Sequence, residues 1–180
     1  MRRFALLSLV IPFVGGCVFE PASPPDVAVA RGFDRFPLYW LGEEFEGVPL
    51  VHVEARPESE IVTFVYGDCD PPGHDEGGCS PPLQIQIMAL CPHLEIVKMP
   101  ASANERTIRG APVGRADGAP VLLTREVQIR AYRGQGVDAG IARRALAALW
   151  SVNDVAPVVD EDDPFPPAPP AVLSGARACG

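Results

Sequence analysis

The sequence predicts one small α+β domain, built mainly from an antiparallel sheet with one C-terminal amphipathic helix packed on one face. Three observations lead to this prediction. Short runs of apolar and β-branched residues alternate with polar ones at period two. Clusters of glycine and proline separate these runs, as in a series of hairpins. A single stretch near the C-terminus, residues 139–152, changes to helical spacing.

Composition favours one hydrophobic core and an acidic surface. Hydrophobic residues make up 47% of the 180 residues, and the formal net charge is −8. The predicted core domain spans residues 33–156, a length typical of a single domain. An acidic chain repels nucleic-acid phosphates and anionic lipid headgroups, so nucleic acid is not an expected partner.

The N-terminus carries the three-part pattern of a secretory signal. Arg2 and Arg3 precede a short apolar run, Phe4–Val14, that is too short to form a permanent membrane span. The residues Val14-Gly15-Gly16-Cys17 resemble the lipobox of bacterial lipoproteins. This resemblance implies that residues 1–16 are a lipoprotein signal peptide.

It also implies that Cys17 carries the lipid, including a fatty acyl chain such as palmitate, and holds the protein on the extracytoplasmic face of the cell membrane. The alternative is an ordinary secretory signal that leaves Cys17 as a thiol. Acyl chains contribute roughly 0.8 kcal/mol per buried methylene, so two or three chains would anchor a soluble domain firmly.

The chain between the anchor and the domain, residues 17–32, contains three prolines and is predicted to be a flexible tether. The first predicted strand is the aromatic run Phe36–Leu41, in which Tyr39 and Trp40 are interpreted as core residues rather than as a ligand platform. An acidic turn follows, and then a second predicted strand, Val48–Ala55.

The best central strands lie in the middle of the chain. Ile61–Tyr66 is β-branched and aromatic, and Leu83–Ile87 alternates strictly between apolar residues and glutamines. The alternation predicts that Leu83, Ile85 and Ile87 face the core while the glutamines face water, so that the sheet is wet on one side. Together the two runs form a predicted hairpin.

The cysteines suggest that this hairpin is closed by a disulfide. An acylated Cys17 leaves four cysteines, an even number that suits disulfides in a secreted chain. Cys69 and Cys79 flank the loop at the open end of the hairpin and are the first choice for a structural disulfide. Pairing of Cys69 with Cys91 remains open, and Cys179 can take any thiol that is left over.

A metal site is the alternative interpretation of the same loop. Zinc or copper could be held by thiolates and imidazoles from a set of five residues, namely Cys69, His74, Cys79, Cys91 and His93. The spacing matches no strong metal motif, and an acidic glycine-rich loop is ordinary at a protein surface. No cofactor is therefore expected.

The C-terminal half reads as further strands followed by the helix. Residues 106–115 form a predicted strand with a Gly/Pro break, Asp117-Gly118 is a hairpin turn signal, and Val121–Leu123 and Val127–Tyr132 are two more predicted strands.

Asp138 is the predicted N-cap of the helix over 139–152, with Arg143 and Arg144 on its solvated face. The last stretch, 157–180, is acidic and proline-rich and is predicted to be a disordered tail.

A family resemblance supports this outline. The residues that carry it are Leu38–Gly42, Phe45–Leu50, Tyr66–Cys69, Gly77–Gln86, Cys91 and Arg109–Pro112. In these segments the chain is similar to a group of uncharacterised secreted proteins and lipoproteins of high-GC Gram-positive-type bacteria. The resemblance covers Phe36 to Leu149 and implies the compartment and the fold. It implies no activity.

The functional prediction follows from the anchor and from the absence of catalytic motifs in the sequence. The chain contains no Gly-x-Ser-x-Gly, His-Glu-x-x-His, Ser-x-x-Lys or phosphate-binding glycine loop. We therefore expect a membrane-anchored, non-enzymatic module that binds another envelope protein or a small ligand. The alternative is a metal-binding lipoprotein that uses the region Asp68–His93, and a hydrolase of unfamiliar type ranks third.

Overall fold

The computed structural model describes residues 27–55, 60–67, 80–91, 97–98, 107–154 and 164–168. Within these residues the chain forms two short helices and ten strands. The helices are α1 (Val27–Arg31) and α2 (Ile141–Ala148), and the strands are β1 (Tyr39–Trp40), β2 (Glu44–Phe45), β3 (Val48–Ala55), β4 (Ile61–Tyr66), β5 (Leu83–Ala89), β6 (Thr107–Ile108), β7 (Ala111–Ala116), β8 (Ala119–Leu123), β9 (Val127–Arg133) and β10 (Trp150–Ser151).

Eight of these strands form one antiparallel sheet, in the order β2-β3-β4-β5-β9-β8-β7-β6, and β1 pairs separately with β10. The sheet consists of two four-stranded meanders, β2–β5 and β6–β9, whose last strands are neighbours. Residues from Leu83 to Ala89 pair with residues from Arg133 to Val127, which joins the meanders at the centre of the sheet. The predicted mainly antiparallel architecture with few helices is confirmed.

Three hairpins share a four-residue pattern. A variable first residue is followed by Gly, the third residue is Val or Ala, and the fourth is Pro. They contain Glu46-Gly47, Arg109-Gly110 and Asp117-Gly118 as the two turn residues, all with positive φ between 46° and 81°. Both positions positive is the type I′ geometry, whose twist matches that of the flanking strands. The predicted Asp117-Gly118 turn is confirmed, and the predicted Gly/Pro break in 106–115 is a complete hairpin between β6 and β7.

The proline in each hairpin is the second residue of the returning strand, where it pairs with Glu44, Thr107 or Arg115 of the preceding strand. The first pair after a two-residue turn is hydrogen-bonded, so the nitrogen of the second residue points away from its hairpin partner. A residue without an N–H therefore costs the hairpin no bond.

One face of the sheet carries the main core. Trp40 is only 2% exposed, and its ring lies 6.4 Å from that of Phe64 and 5.2 Å from that of Trp150. The interpretation of Trp40 as a core residue is confirmed. Helix α2 packs on β8 and β9, and α1 packs on β3 through the buried Ala30.

The β4–β5 hairpin is also confirmed, with Tyr66 opposite Leu83 at its open end. Leu83, Ile85 and Ile87 are fully buried and the two glutamines of β5 are half-buried, as the alternation predicts. The prediction of a wet second face is wrong, however, for part of the sheet. On β9, Gln128 and Arg130 are buried on that face.

A second apolar cluster covers this part of the second face. Its buried members come from β7, β8 and two distant segments of the chain, namely Leu90, Ala116, Val121, Leu123 and Ala168. The half-buried Val97 packs against them. The contacts come from residues far apart in sequence, which is why the alternation within one strand could not indicate them.

Helix α2 is shorter than predicted at both ends. It begins at Ile141 after Gly140, and no side chain caps its first turn, so the prediction of Asp138 as the N-cap is wrong. It ends because Leu149 is extended, with φ −61° and ψ 142°, which lets Trp150 pair with Trp40.

The predicted tether and tail both contain ordered residues. The tether was expected over 17–32, but Val27–Arg31 form α1. In the predicted disordered tail 157–180, Phe165 is 2% exposed and its backbone N–H donates to the carbonyl of Arg109. The apolar side chains in both segments complete the core, so the ordered domain extends beyond the predicted limits of 33–156.

Candidate functional site

Most of the predicted site residues lie outside the described part of the chain. These are the lipidation residue and four members of the predicted disulfide and metal set, namely Cys17, Cys69, His74, Cys79 and His93. Cys91 is described, is exposed and is disulfide-bonded. A disulfide sulfur is not a thiolate, so Cys91 does not fit the predicted metal set.

Metal-ligand clusters and membrane-spanning helices are both absent from the described residues. Among them, no group of three or more His, Cys, Asp or Glu side chains is placed to hold a metal ion. In the same part of the chain, no helix is both long enough and apolar enough to cross a membrane.

The described residues do form a large cleft that the sequence did not indicate. It has a volume of 770 Å³ and lies where the ends of β7, β8 and β9 meet the start of α2. Its polar side chains are Arg115 at the end of β7, Asp117 in the turn that follows, Arg133 at the end of β9, Gln135 just after it, and Arg143 on α2. These are guanidinium and amide donors with a single carboxylate. Tyr132 also borders the cleft, but its hydroxyl lies with Arg130 on the second face of the sheet.

Two of the cleft arginines are oriented by backbone carbonyls. Nη1 of Arg133 donates to the carbonyl of Val137 at 3.1 Å, which ties the end of β9 to the loop before α2. Nη1 of Arg115 donates to the carbonyl of Gly118 at 3.2 Å, across the β7–β8 turn. A guanidinium has five N–H donors, so each of these side chains retains donors for a ligand.

The adjacent arginines of α2 have different surroundings. Arg144 binds Glu46 through two hydrogen bonds of 2.7 and 2.8 Å and donates to Asp138 at 2.6 Å. These bonds from Arg144 are the main reason why the pKa values of Glu46 and Asp138 lie below their usual range. The prediction that Arg144 is merely solvated is therefore wrong. The side chain of Arg143 has neither a hydrogen bond nor an ion pair to any described residue, and Arg143 lines the cleft.

Arg130 and Gln128 form a buried polar cluster next to Tyr132 on the second face of the sheet. Arg130 is 6% exposed, and it donates from Nη1 to the hydroxyl of Tyr132 and from Nη2 to Oε1 of Gln128, both at 3.4 Å. Nε of Arg130 and Nε2 of Gln128 have no hydrogen-bond partner in the part of the chain that the structure describes. The hydroxyl of Tyr132 is thus used as an acceptor, and its proton has no acceptor among the described residues.

The local charge of the cleft is opposite to that of the whole molecule. The chain carries a net charge of −8, whereas the cleft has three arginines against one aspartate. Other nearby carboxylates, those of Glu46 and Asp138, are held by Arg144. The arrangement can attract and orient an anionic group, because guanidinium donors match the geometry of carboxylate and phosphate oxygens.

The sequence signal for this site is weak. Arg115, Arg133 and Arg143 lie next to turn or helix-start signals, but their spacing of 18 and 10 residues matches no motif. Only the antiparallel order β9-β8-β7, with α2 packed on β8 and β9, brings them together.

Comparisons with known proteins found no match. No protein-family model matches the chain, and no match was found among the curated proteins or the solved structures.

Proposed function

We propose that this chain is a membrane-anchored extracytoplasmic lipoprotein that acts as a non-enzymatic binding module and takes a small ligand in the cleft beside α2. The observation that carries the proposal is the cleft itself. Its 770 Å³ falls within the roughly 300–1,000 Å³ usual for small-molecule sites, and several polar groups converge on it.

The anchor rests on the sequence. The signal pattern and the lipobox-like residues ending at Cys17 support export and lipidation. The disulfide at Cys91 is consistent with an oxidising compartment, because stable disulfides are rare in reducing ones. A lipid at Cys17 would keep the domain beside the membrane.

Filling the cleft tests the binding function. Ala139 is exposed and lines the cleft, whereas Ala147 is exposed on α2 and does not line it. We expect Ala139→Trp to abolish the shifts in melting temperature that a panel of small metabolites produces with the wild-type chain. The matched control Ala147→Trp should retain them. Equal responses of the two variants, or no response of the wild-type chain to any compound, would rule out the cleft as the ligand site.

The anchor is tested separately. The full chain, expressed with its own N-terminus, should fractionate with membranes, and its intact mass should include diacylglycerol and an acyl chain. Cys17→Ser should remove both the lipid mass and the membrane fraction, since acyl burial supplies the anchoring energy. An unlipidated wild-type chain would show that residues 1–16 are an ordinary secretory signal instead.

A further inference from the structure

We propose that the ligand of this cleft carries an oxyanion, a carboxylate or a phosphate group, which is bound by the guanidinium groups of Arg133 and Arg143. The inference rests on the proposed function, because it assigns the chemical class of the ligand that the cleft takes.

The first argument is the unsatisfied positive charge. Arg144 shows how this protein neutralises a surface guanidinium, with two carboxylates at 2.6–2.8 Å. The side chain of Arg143, the next residue along the chain, has neither a hydrogen bond nor an ion pair to any described residue. The side chain of Arg133 hydrogen-bonds only to a backbone carbonyl, and its charge interacts with that of Asp138, which Arg144 already holds. Both side chains line the same cleft. A ligand oxyanion would supply the acceptors that these donors lack.

The acidity of the whole protein does not oppose this binding. At physiological ionic strength the Debye length is about 8 Å, so carboxylates far from the cleft are largely screened. Within the cleft, three guanidinium groups face one carboxylate, that of Asp117. The local field is therefore attractive for anions even though the net charge of −8 is repulsive at long range.

The second argument is the number of donors in the lining. Arg115 and Gln135 line the cleft together with Arg133 and Arg143, so three guanidinium groups and one amide offer donors to a ligand. The hydroxyl of Tyr132 takes no part, because it lies with Arg130 on the second face of the sheet. An oxyanion is the partner that clustered guanidinium groups recognise.

Binding of citrate and of inorganic phosphate to the full chain tests the inference, with titration followed by calorimetry and by the arginine Nε–H signals in NMR spectra at constant ionic strength. Losing one charge-assisted hydrogen bond typically weakens binding about tenfold or more. We therefore expect Arg143→Gln and Arg133→Gln each to raise the Kd about tenfold. Arg125→Gln is the control, since Arg125 is exposed but does not line the cleft.

Two further variants sharpen the test. Tyr132→Phe is a second control, because the hydroxyl of Tyr132 lies with Arg130 on the opposite face of the sheet, and it should leave binding unchanged. Asp117→Asn removes the one carboxylate of the cleft, and asparagine suits the positive φ of 50° at this turn position. It should therefore bind both anions more tightly than the wild-type chain does. If Arg133→Gln fails to fold because its bond to Val137 is lost, Arg143→Gln still gives a clean answer, since Arg143 has no partner to lose among the described residues.

The outcomes separate the two proposals. Binding of citrate alone would identify a carboxylate ligand and binding of phosphate alone a phosphate ligand, and either result with the expected ranking of variants supports the inference. No binding of either anion, or equal weakening by Arg125→Gln and Arg143→Gln, would overturn it. If neutral compounds still gave melting shifts that Ala139→Trp abolished, the binding function would stand without the oxyanion.

Discussion

At the scale of single residues, the burial of Arg130 is costly. Among the described residues its guanidinium has only two long hydrogen bonds, both to neutral partners, and its Nε has none. Taking a cation out of water without a carboxylate partner costs free energy that neutral acceptors offset only in part.

Arg130→Met should therefore increase the free energy of unfolding in the absence of ligand, by about 1–2 kcal/mol, because an unpaired buried charge is replaced by an apolar chain of similar length. Urea unfolding followed by tryptophan fluorescence measures the change. The exposed Arg125→Met should shift stability by no more than about 0.5 kcal/mol. A loss of stability in Arg130→Met would mean that the contacts with Gln128 and Tyr132 outweigh the cost of burial.

Residue-level roles were also the hardest to predict from the sequence. Arg143 and Arg144 are neighbours of the same type on a helix, and nothing in their local sequence distinguishes them. They differ because Glu46, 98 residues away, lies beside Arg144. Strand alternation likewise predicted a wet second face, because it does not register what packs on that face from elsewhere in the chain, and the burial of Gln128 and Arg130 could not be predicted.

At the scale of elements, Arg109 joins three parts of the fold. It occupies the β6–β7 turn, donates from Nη1 to the carbonyl of Leu149 at the end of α2 at 2.6 Å, and lies 4.1 Å from the ring centre of Phe165. A cation at the C-terminal end of a helix is favourable because the last carbonyls lack backbone partners.

Arg109→Gln should lower the free energy of unfolding by about 1–3 kcal/mol, since a charge-assisted hydrogen bond and a cation–π contact are both lost. Arg109→Lys keeps the charge but not the planar fork, so its loss should be smaller. Urea unfolding of the three chains gives the ranking. Stability that does not change in Arg109→Gln would show that the hairpin, the end of α2 and residues 164–168 are held together by other contacts.

Elements with a complete local signal were predicted best. The bounds of Val48–Ala55 and Ile61–Tyr66 agree with β3 and β4, because these runs are long, β-branched and closed by turn residues. The β6–β7 hairpin was predicted as a single interrupted strand because its turn is Arg-Gly. Only the less frequent arginine separates it from the Asp-Gly turn that was predicted correctly. Helix α1 has five residues and depends on packing against β3, so helical periodicity could not reveal it.

At the scale of the whole molecule, the order of the strands creates the candidate site. The second meander places the ends of β7 and β9 on either side of β8, and α2 then returns across β8 and β9. The class of fold follows from local patterns, but this pairing of distant strands does not. The cleft was therefore beyond prediction from the sequence, whereas the mainly antiparallel sheet was not.

The response of global stability to alkaline pH should depend on Tyr66. Its side chain is fully buried, its hydroxyl accepts a hydrogen bond from the backbone N–H of Leu41 at 3.0 Å, and it donates to the carbonyl of Gly42 at 3.2 Å. Burial raises the pKa of Tyr66 far above its usual range, because the charged phenolate is disfavoured inside the core.

In the unfolded chain this tyrosine ionises near pH 10, whereas the folded chain keeps its proton, so the stabilisation is complete below about pH 10 and is lost as the pH rises further. The free energy of unfolding should then fall by about 1.4 kcal/mol per pH unit from this group. Tyr66→Phe should be less stable at pH 8 by about 1–3 kcal/mol, since the N–H of Leu41 loses its acceptor, but it should lose less stability between pH 10 and 11.5. Urea unfolding across this range gives both slopes. Parallel slopes for the two chains would show that another group controls alkaline unfolding.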